Sequence, residues 1–351
     1  MNLKFWAGET NKPVLEEHTS VMDSAINYLG WSNPSTPYKY RELFLDSGAF
    51  TLGKKRAFGQ TGEVEQRKIN LIKEKIKQTQ EKMGPDKAIP LDFPFQPGMD
   101  LVSMKKYWSL TTLNFLEWQE TTSLKEIVPV LHAWSADSLA KNVKWLSKYA
   151  DSEMIAIGTI VTTNFKDYTG FFGDRQPSIK NLALLIGAIQ SIRSNTDFKI
   201  HLTGFGSSPL TLHLAFYIGS ESVDSAGYRR KAAYGKILLP GTGEKYVGRG
   251  DAKFGVSQLT SNDKMLLKNC LCPICRVDQS LLYKDWKARA IHNKYVLESE
   301  AKKAKKLLNY DFLAYEHYLE QIYRNSSTNF ISYWKFVKNR IRQYSLDLWL
   351  L

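Results

Sequence analysis

The stretch Ser222-Val-Asp-Ser-Ala-Gly-Tyr-Arg-Arg-Lys-Ala-Ala-Tyr-Gly235, running on into Lys236-Ile-Leu-Leu-Pro-Gly241, carries the pattern on which the reading of the fold turns. A short β-type run ends in Asp224; small residues follow, then three successive cations, Arg229, Arg230 and Lys231. A helix-capping turn accounts for the Asp and the Gly but not for the cations. A carboxylate nucleophile beside a phosphate-binding patch accounts for both. What the other strands carry decides between them.

Working outward, short apolar runs alternate with longer amphipathic stretches from Lys4 to about Pro240. The runs are Leu3 to Ala7, Glu42 to Leu45, Ala88 to Leu91, Ile127 to Leu131, Met154 to Ile160, Phe198 to Thr203, Ser222 to Val223 and Lys236 to Leu239. Helical spacing is predicted over Glu63 to Lys82, Leu101 to Thr121, Ser138 to Tyr149, Ile179 to Ser194 and Pro209 to Ile218. Strands that are apolar throughout, rather than alternating, belong to a parallel sheet covered on both faces. Eight such runs suit an α/β fold of the (β/α)8 TIM-barrel kind, whose usual length is about 250 residues. A doubly wound open sheet is the alternative, since periodicity does not give strand order.

The ends of the runs share a feature. Leu45 leads into Asp46-Ser47-Gly48-Ala49-Phe50, Leu91 into Asp92, Leu131 into His132, Ile157 into Gly158, Thr203 into Gly204-Phe-Gly206, and Val223 into Asp224. In a barrel, such positions face one mouth, where chemistry on this fold takes place. A single Asp there is more often a helix cap, but three Asp and a His at equivalent places favour a site. Gly204-Phe-Gly206 lacks the third glycine of a dinucleotide fingerprint; it fits a turn where backbone approaches a ligand.

The net charge of +13 points to a polyanionic partner. No apolar run is long enough to span a membrane, and the N-terminus lacks the apolar segment of a secretion signal, so a cytoplasmic protein is expected. The three cysteines sit together in Cys270-Leu-Cys272-Pro-Ile-Cys275. Three thiolates in six residues can hold one side of a tetrahedral Zn2+, with His292 as fourth ligand, and a site with four protein ligands is structural. Helices are expected beyond it, over Trp286 to Lys306, Phe312 to Ile322 and Phe330 to Arg342; the charged run Glu298 to Lys306 reads as a solvated face.

Cys-x-Cys-x-x-Cys with a downstream His-Asn, placed after a barrel carrying Asp46-Ser-Gly-Ala-Phe50 early and Asp224 late, resembles the tRNA-guanine transglycosylases. Pro90-Leu-Asp92 and Leu202-Thr-Gly204-Phe-Gly206 are similar to further elements of that family. The resemblance implies a nucleophilic role for Asp224, acid–base work for Asp46 and base recognition by Asp92. It further implies base-pocket positions for Ser47, Phe50, His132, Gly158 and Gly204, and phosphate contacts from Arg229, Arg230 and Lys231. The chain departs from the family at His132, where a Gln is usual, at Gly158-Thr159, and in the shorter spacing from Cys275 to His292. Similar departures mark the 7-deazaguanine DNA transglycosylases of bacterial islands and phages, which this chain resembles more closely.

The expected activity is replacement of guanine in DNA by a 7-deazaguanine base such as preQ0, through a covalent aspartyl-glycosyl intermediate. The alternatives are the same chemistry on tRNA, or a non-catalytic zinc-containing nucleic-acid-binding protein. Expected partners are DNA or tRNA and the free base, with a homodimer or further DNA-modification proteins left open. The expected organisation is a catalytic barrel over 1–255, a zinc-binding subdomain over 256–295 and a helical segment over 296–351.

Overall fold

The computed structural model describes residues 3–54, 66–95, 99–158, 179–248, 259–326 and 328–349. Thr159 and the expected boundary at 255–256 lie outside them. The chain divides into two compact units, Gly8–Thr203 and a second made of Met1–Ala7 with Gly204–Leu351.

In the unit Gly8–Thr203, strands β2 (Glu17–Ser24), β3 (Lys39–Asp46) and β4 (Lys87–Ala88) pair in parallel. Strands β5 (Val130–Leu131), β6 (Met154–Ile157) and β7 (Lys199–Leu202) form a second parallel run. A parallel bridge from Ala88 to Ile127 joins the two runs, backed by Val128 N–H donating to Ala88 O at 2.8 Å. Helices α1 (Ala49–Lys54), α2 (Gln66–Met83), α3 (Leu101–Thr121), α4 (Ala136–Tyr149) and α5 (Ile179–Asn195) fill the crossovers. Their starts are chemically marked: Asp100 accepts from Ser103 N–H at 2.7 Å, and Ser135 forms a reciprocal capping box with Ser138.

In the other unit, β1 (Lys4–Gly8) pairs in parallel with β8 (Ser222–Ser225), Lys4 opposite Ser222 and Ala7 opposite Ser225. Helix α6 (Pro209–Tyr217) leads into β8 behind a Ser208 capping box with Pro209 in the first turn. Helix α7 (Gly227–Ala233) follows β8, then an antiparallel hairpin, β9 (Lys236–Leu238) with β10 (Glu244–Tyr246). The remaining helices are α8 (Ser261–Lys268), α9 (Pro273–Val277), α10 (Leu281–Lys284), α11 (Trp286–Tyr310), α12 (Phe312–Arg324) and α13 (Thr328–Trp349).

Strands β2 to β7 in the one unit, and β1 with β8 in the other, pair in parallel, and strands alternate with helices from β3 onward, the α/β architecture of the TIM-like class. Eight parallel strands were expected, but the membership differs by one. Lys236 to Leu239 is not among them, because it forms the antiparallel hairpin. Its place is taken by Glu17–Ser24, which is not an apolar run. That strand reads as polar because it buries polar residues with their partners. Ser20 Oγ donates to Glu42 Oε2 at 2.8 Å, and Asp23, 2% exposed, accepts from Tyr28 and Tyr38 hydroxyls at 2.6 Å each and from Asn27 at 2.7 Å. A buried polar group with its partners in place costs little.

The last helices dock on α6 through polar groups set in an aromatic core. His213 on α6 meets Glu300 Oε2 at 2.8 Å and the Tyr315 hydroxyl at 2.9 Å, and Tyr217 donates to Glu316 at 2.6 Å. Trp334 of α13 stacks on Tyr323 with ring centroids 5.3 Å apart. Burial pushes the Glu300 carboxyl up, but hydrogen bonding and charge from His213, with help from Tyr318, outweigh it and hold the group below its usual range.

Replacing this buried carboxylate by Glu300→Gln is expected to cost about 2 kcal/mol, because the hydrogen bonds from His213 and Tyr318 lose an ionised acceptor. The folded-state pKa of Glu300 is lowered, so its contribution is complete above the unfolded carboxylate value of about 4.3. The contribution fades as pH falls through the lower folded value. Urea unfolding at several pH values should show a constant gap between wild type and variant above about pH 5, narrowing below about pH 4.

Candidate active site and metal centre

In the unit Gly8–Thr203 three strand ends bring acidic and polar groups together. Asp46, the last residue of β3, accepts from Gly48 N–H at 2.9 Å and from Ser24 Oγ at 3.3 Å. Gly48 has φ +89, and a Cβ there would meet Ile26 Cγ2 at 2.4 Å, so this tight return requires glycine. Ser47 is fully buried and its Oγ donates to Asp92 Oδ1 at 3.4 Å, which links the ends of β3 and β4. The other carboxylate oxygen of Asp92 faces His132 Nε2 at 3.1 Å. His132 is fully buried, its carbonyl accepts from Asn142 Nδ2 at 2.7 Å, and Phe95 packs against its ring at 5.3 Å between centroids.

Three of the expected positions thus fall into one hydrogen-bonded group, Ser47 joining Asp92 and Asp92 joining His132, and a fourth, Gly158, lies against the His132 ring. Gly158 is closely packed, since a Cβ there would sit 2.8 Å from His132 Cε1. Phe50 is instead an exposed residue, at 44%. Behind the strand ends, the buried Gln80 donates to Leu45 O at 3.1 Å and Ile89 O at 2.8 Å while accepting from Trp118 Nε1 at 2.7 Å. Gln80, Asn142 and Phe95 had no signal in the sequence; each is recognisable only from what it touches.

In the unit Met1–Ala7 with Gly204–Leu351, Asp224 is held by the turn after β7. Gly204 N–H donates to Asp224 Oδ1 at 2.6 Å, and Gly206 N–H donates to the Asp224 carbonyl at 3.0 Å. A short backbone bond to a carboxylate is charge-assisted and orients it firmly. Gly206 has no room for a side chain: a Cβ would lie 2.9 Å from Phe5 and 3.0 Å from Val223. The Gly204 N–H is therefore engaged with Asp224, a use that the sequence did not suggest.

The three cations on α7 differ from one another. Arg230 is exposed, Arg229 is half-buried, and Lys231 forms an ion pair with Glu244 that Lys236 shares. Burial pushes Glu244 up, but the two ammonium groups prevail and hold its carboxyl below the usual range. Lys231 thus bonds to its own chain.

The cysteine cluster forms a metal centre. One ligand atom from each of Cys270, Cys272, Cys275 and His292 lies within 4.8 Å of all the others. Zinc–sulfur bonds of about 2.3 Å and a zinc–nitrogen bond of about 2.0–2.1 Å in a tetrahedron place sulfur and nitrogen about 3.6 Å apart. The three Sγ to Nδ1 distances are 3.6, 3.4 and 3.5 Å. With only protons to share, the sulfurs conflict: hydrogen bonds from Cys270 and Cys275 hold the Cys272 thiol far below its usual range, while Cys270 and Cys272 push Cys275 far above. A divalent cation binding all three as thiolates resolves that conflict. Four protein donors leave no open position, so the zinc site is structural.

The next residues tie this centre to the elements around Asp224. His292 Nε2 donates to Leu238 O at 2.7 Å, which fixes the tautomer and directs Nδ1 to the metal. Asn293 accepts from Leu238 N–H at 2.7 Å and donates to Tyr228 O at 3.1 Å and Lys236 O at 3.2 Å. Arg289, one turn earlier, donates to Ala232 O at 2.8 Å. Helix α11 therefore grips both α7 and β9, and zinc holds the side of α11 that does so.

The family model for queuine tRNA-ribosyltransferase matches residues 16–328, most of the chain. The chain belongs to the tRNA-guanine transglycosylase family. No curated relative matches it. Membership makes it a transglycosylase of the pentosyltransferase kind, acting on a guanine-like base in nucleic acid. Among the described residues no helix is long and apolar enough to cross a membrane.

Two outcomes follow for the metal centre. Metal analysis should find one zinc per chain, and Cys272→Ala should abolish it, with a melting temperature at least about 10 °C lower, as expected when a structural metal is lost. Asn293→Ala should keep the zinc and still lose about 2–3 kcal/mol in chemical unfolding, since Leu238 N–H and two carbonyls lose a buried partner.

Proposed function

We propose that the chain exchanges guanine in DNA for a 7-deazaguanine base such as preQ0, with retention at the sugar. The reading rests on one observation above all. A chain of this family carries carboxylates at three strand ends, each held by backbone, hydroxyl or imidazole donors.

In this reading a carboxylate oxygen of Asp224 attacks C1′ of the target nucleoside. The C1′–N9 bond breaks, and guanine leaves with a proton delivered to it by Asp46. The incoming base then gives its N9 proton to Asp46 as N9 bonds to C1′. The ester to Asp224 breaks and restores the carboxylate. Two displacements keep the configuration, as in retaining glycosidases. Asp92 accepts from the donor edge of the base. Ser47 orients Asp92, Gly158 and Gly204 let backbone approach the base, and Phe50 and His132 complete its surroundings. Arg229 and Arg230 contact the flanking phosphates, with Lys231 contributing once released from Glu244. The target base leaves its stack to react, so a flipped or single-stranded nucleotide is the substrate. Zinc supplies no chemistry here; Cys270, Cys272, Cys275 and His292 hold the surrounding fold.

The DNA branch is favoured by the departures at His132 and Gly158. The family match, described by its tRNA activity, favours tRNA as the second reading. Incorporation of labelled guanine or preQ0 into DNA and into tRNA, by wild type and Asp224→Ala, separates the two. Incorporation into DNA alone, lost in the variant, is the expected result. Incorporation into tRNA keeps the mechanism and overturns the substrate, and none into either, with binding intact, supports a binding protein. Arg230→Ala should weaken nucleic-acid binding and reduce the slope of log affinity against log salt by about one.

A further inference from the structure

We infer that His132 is a positioning residue which fixes the Asp92 carboxylate so that it selects a base presenting two adjacent N–H donors, and that Gly158 is required to make room for the imidazole. The inference rests on the proposed role of Asp92 in reading the base.

Both oxygens of Asp92 have a partner inside the protein. Ser47 Oγ lies 3.4 Å from Oδ1 and His132 Nε2 lies 3.1 Å from Oδ2. An ionised carboxylate only accepts, so Nε2 carries the ring proton. The carboxylate is gripped at both oxygens, and its plane cannot swing. The imidazole is itself locked. Asn142 holds its backbone carbonyl at 2.7 Å, Phe95 covers its ring, and the Gly158 backbone closes one edge. His132 is completely buried in this packing. A methyl at 158 would lie 2.8 Å from both His132 Cε1 and Val130 Cγ1 and 3.2 Å from His132 Nδ1. The ring would have to move, and the donor to Asp92 with it.

A carboxylate fixed in this way accepts best from two parallel donors. Guanine and 7-deazaguanines offer an adjacent ring N–H and exocyclic amine; hypoxanthine offers the ring N–H alone; adenine presents an acceptor in its place. With His132 removed, Asp92 Oδ2 loses its donor and the carboxylate is held by Ser47 alone. Free to rotate, it no longer presents both oxygens to the two donors of the base. The loss therefore falls on selectivity among bases, ahead of the rate of the displacement steps.

The test measures binding of free guanine and free hypoxanthine by calorimetry, with exchange kinetics on the same proteins. Wild type should prefer guanine by at least about 10-fold, the scale of one lost hydrogen bond to a charged group. In His132→Ala the preference should collapse, guanine affinity should fall about 10- to 100-fold, and KM for the base should rise more than kcat falls. His132→Gln, which offers an amide donor of similar reach, should restore the preference. Gly158→Ala should reproduce His132→Ala without removing a polar group, and thermal melts identify any variant that is merely unfolded.

An unchanged preference in a folded His132→Ala overturns the inference, and so does a His132→Gln protein as defective as His132→Ala. A wild type that binds both bases equally also overturns it. Selective guanine binding without exchange into any nucleic acid leaves the inference standing and sinks the transglycosylase reading. Binding of neither base to wild type removes both.

Discussion

Parallel strands buried on both faces cannot hold an unpaired polar side chain, because water is not there to replace a missing partner. The strand carboxylates Asp23, Asp46, Asp92 and Asp224 are accordingly each met by donors, either within a strand or at its end. Strand β2 is the first case, with Asp23 accepting from two tyrosines and an asparagine. Asp46, Asp92 and Asp224 are the second, each gripped by donors that the strand ends provide. The same constraint that builds the strands thus leaves these carboxylates at their ends, each with its donors.

Glycine serves this arrangement in two different ways. Gly48 adopts a left-handed backbone so that its N–H can turn back to Asp46, and Ile26 leaves no space for a side chain. Gly158 and Gly206 have ordinary backbone and are needed for closeness alone, against His132 and against Phe5 with Val223. A substitution at the first kind acts through backbone strain, whereas at the second it acts by displacing a neighbour.

The metal centre extends the same logic beyond the strands. Zinc draws Cys270, Cys272, Cys275 and His292 together, and the outward nitrogen of His292 is spent on Leu238. Asn293 and Arg289 then donate to carbonyls of α7 and β9. The result is a rigid support for the segment that follows Asp224, made from one helix and one ion. It also explains why His and Asn stand side by side: one binds metal and hairpin, the other hairpin and helix.

Much of this was legible in the sequence alone. The helices Leu101–Thr121 and, as far as Lys306, Trp286–Tyr310 were marked by periodicity, and the Cys-x-Cys-x-x-Cys spacing with a later His named the metal. The carboxylates were visible as Asp residues ending apolar runs. Tertiary structure decided the rest. The polar strand Glu17–Ser24 is recognisable only beside Glu42, Tyr28 and Tyr38, and Lys236–Leu238 was mistaken for a barrel strand because an antiparallel hairpin can be equally apolar. Whether Lys231 is available, and that His132 holds Asp92, depended on groups 13 and 40 residues away in the chain. Local pattern records what a residue can do, since burial and periodicity act along the chain; pairing of polar groups acts across it, and so belongs to the fold.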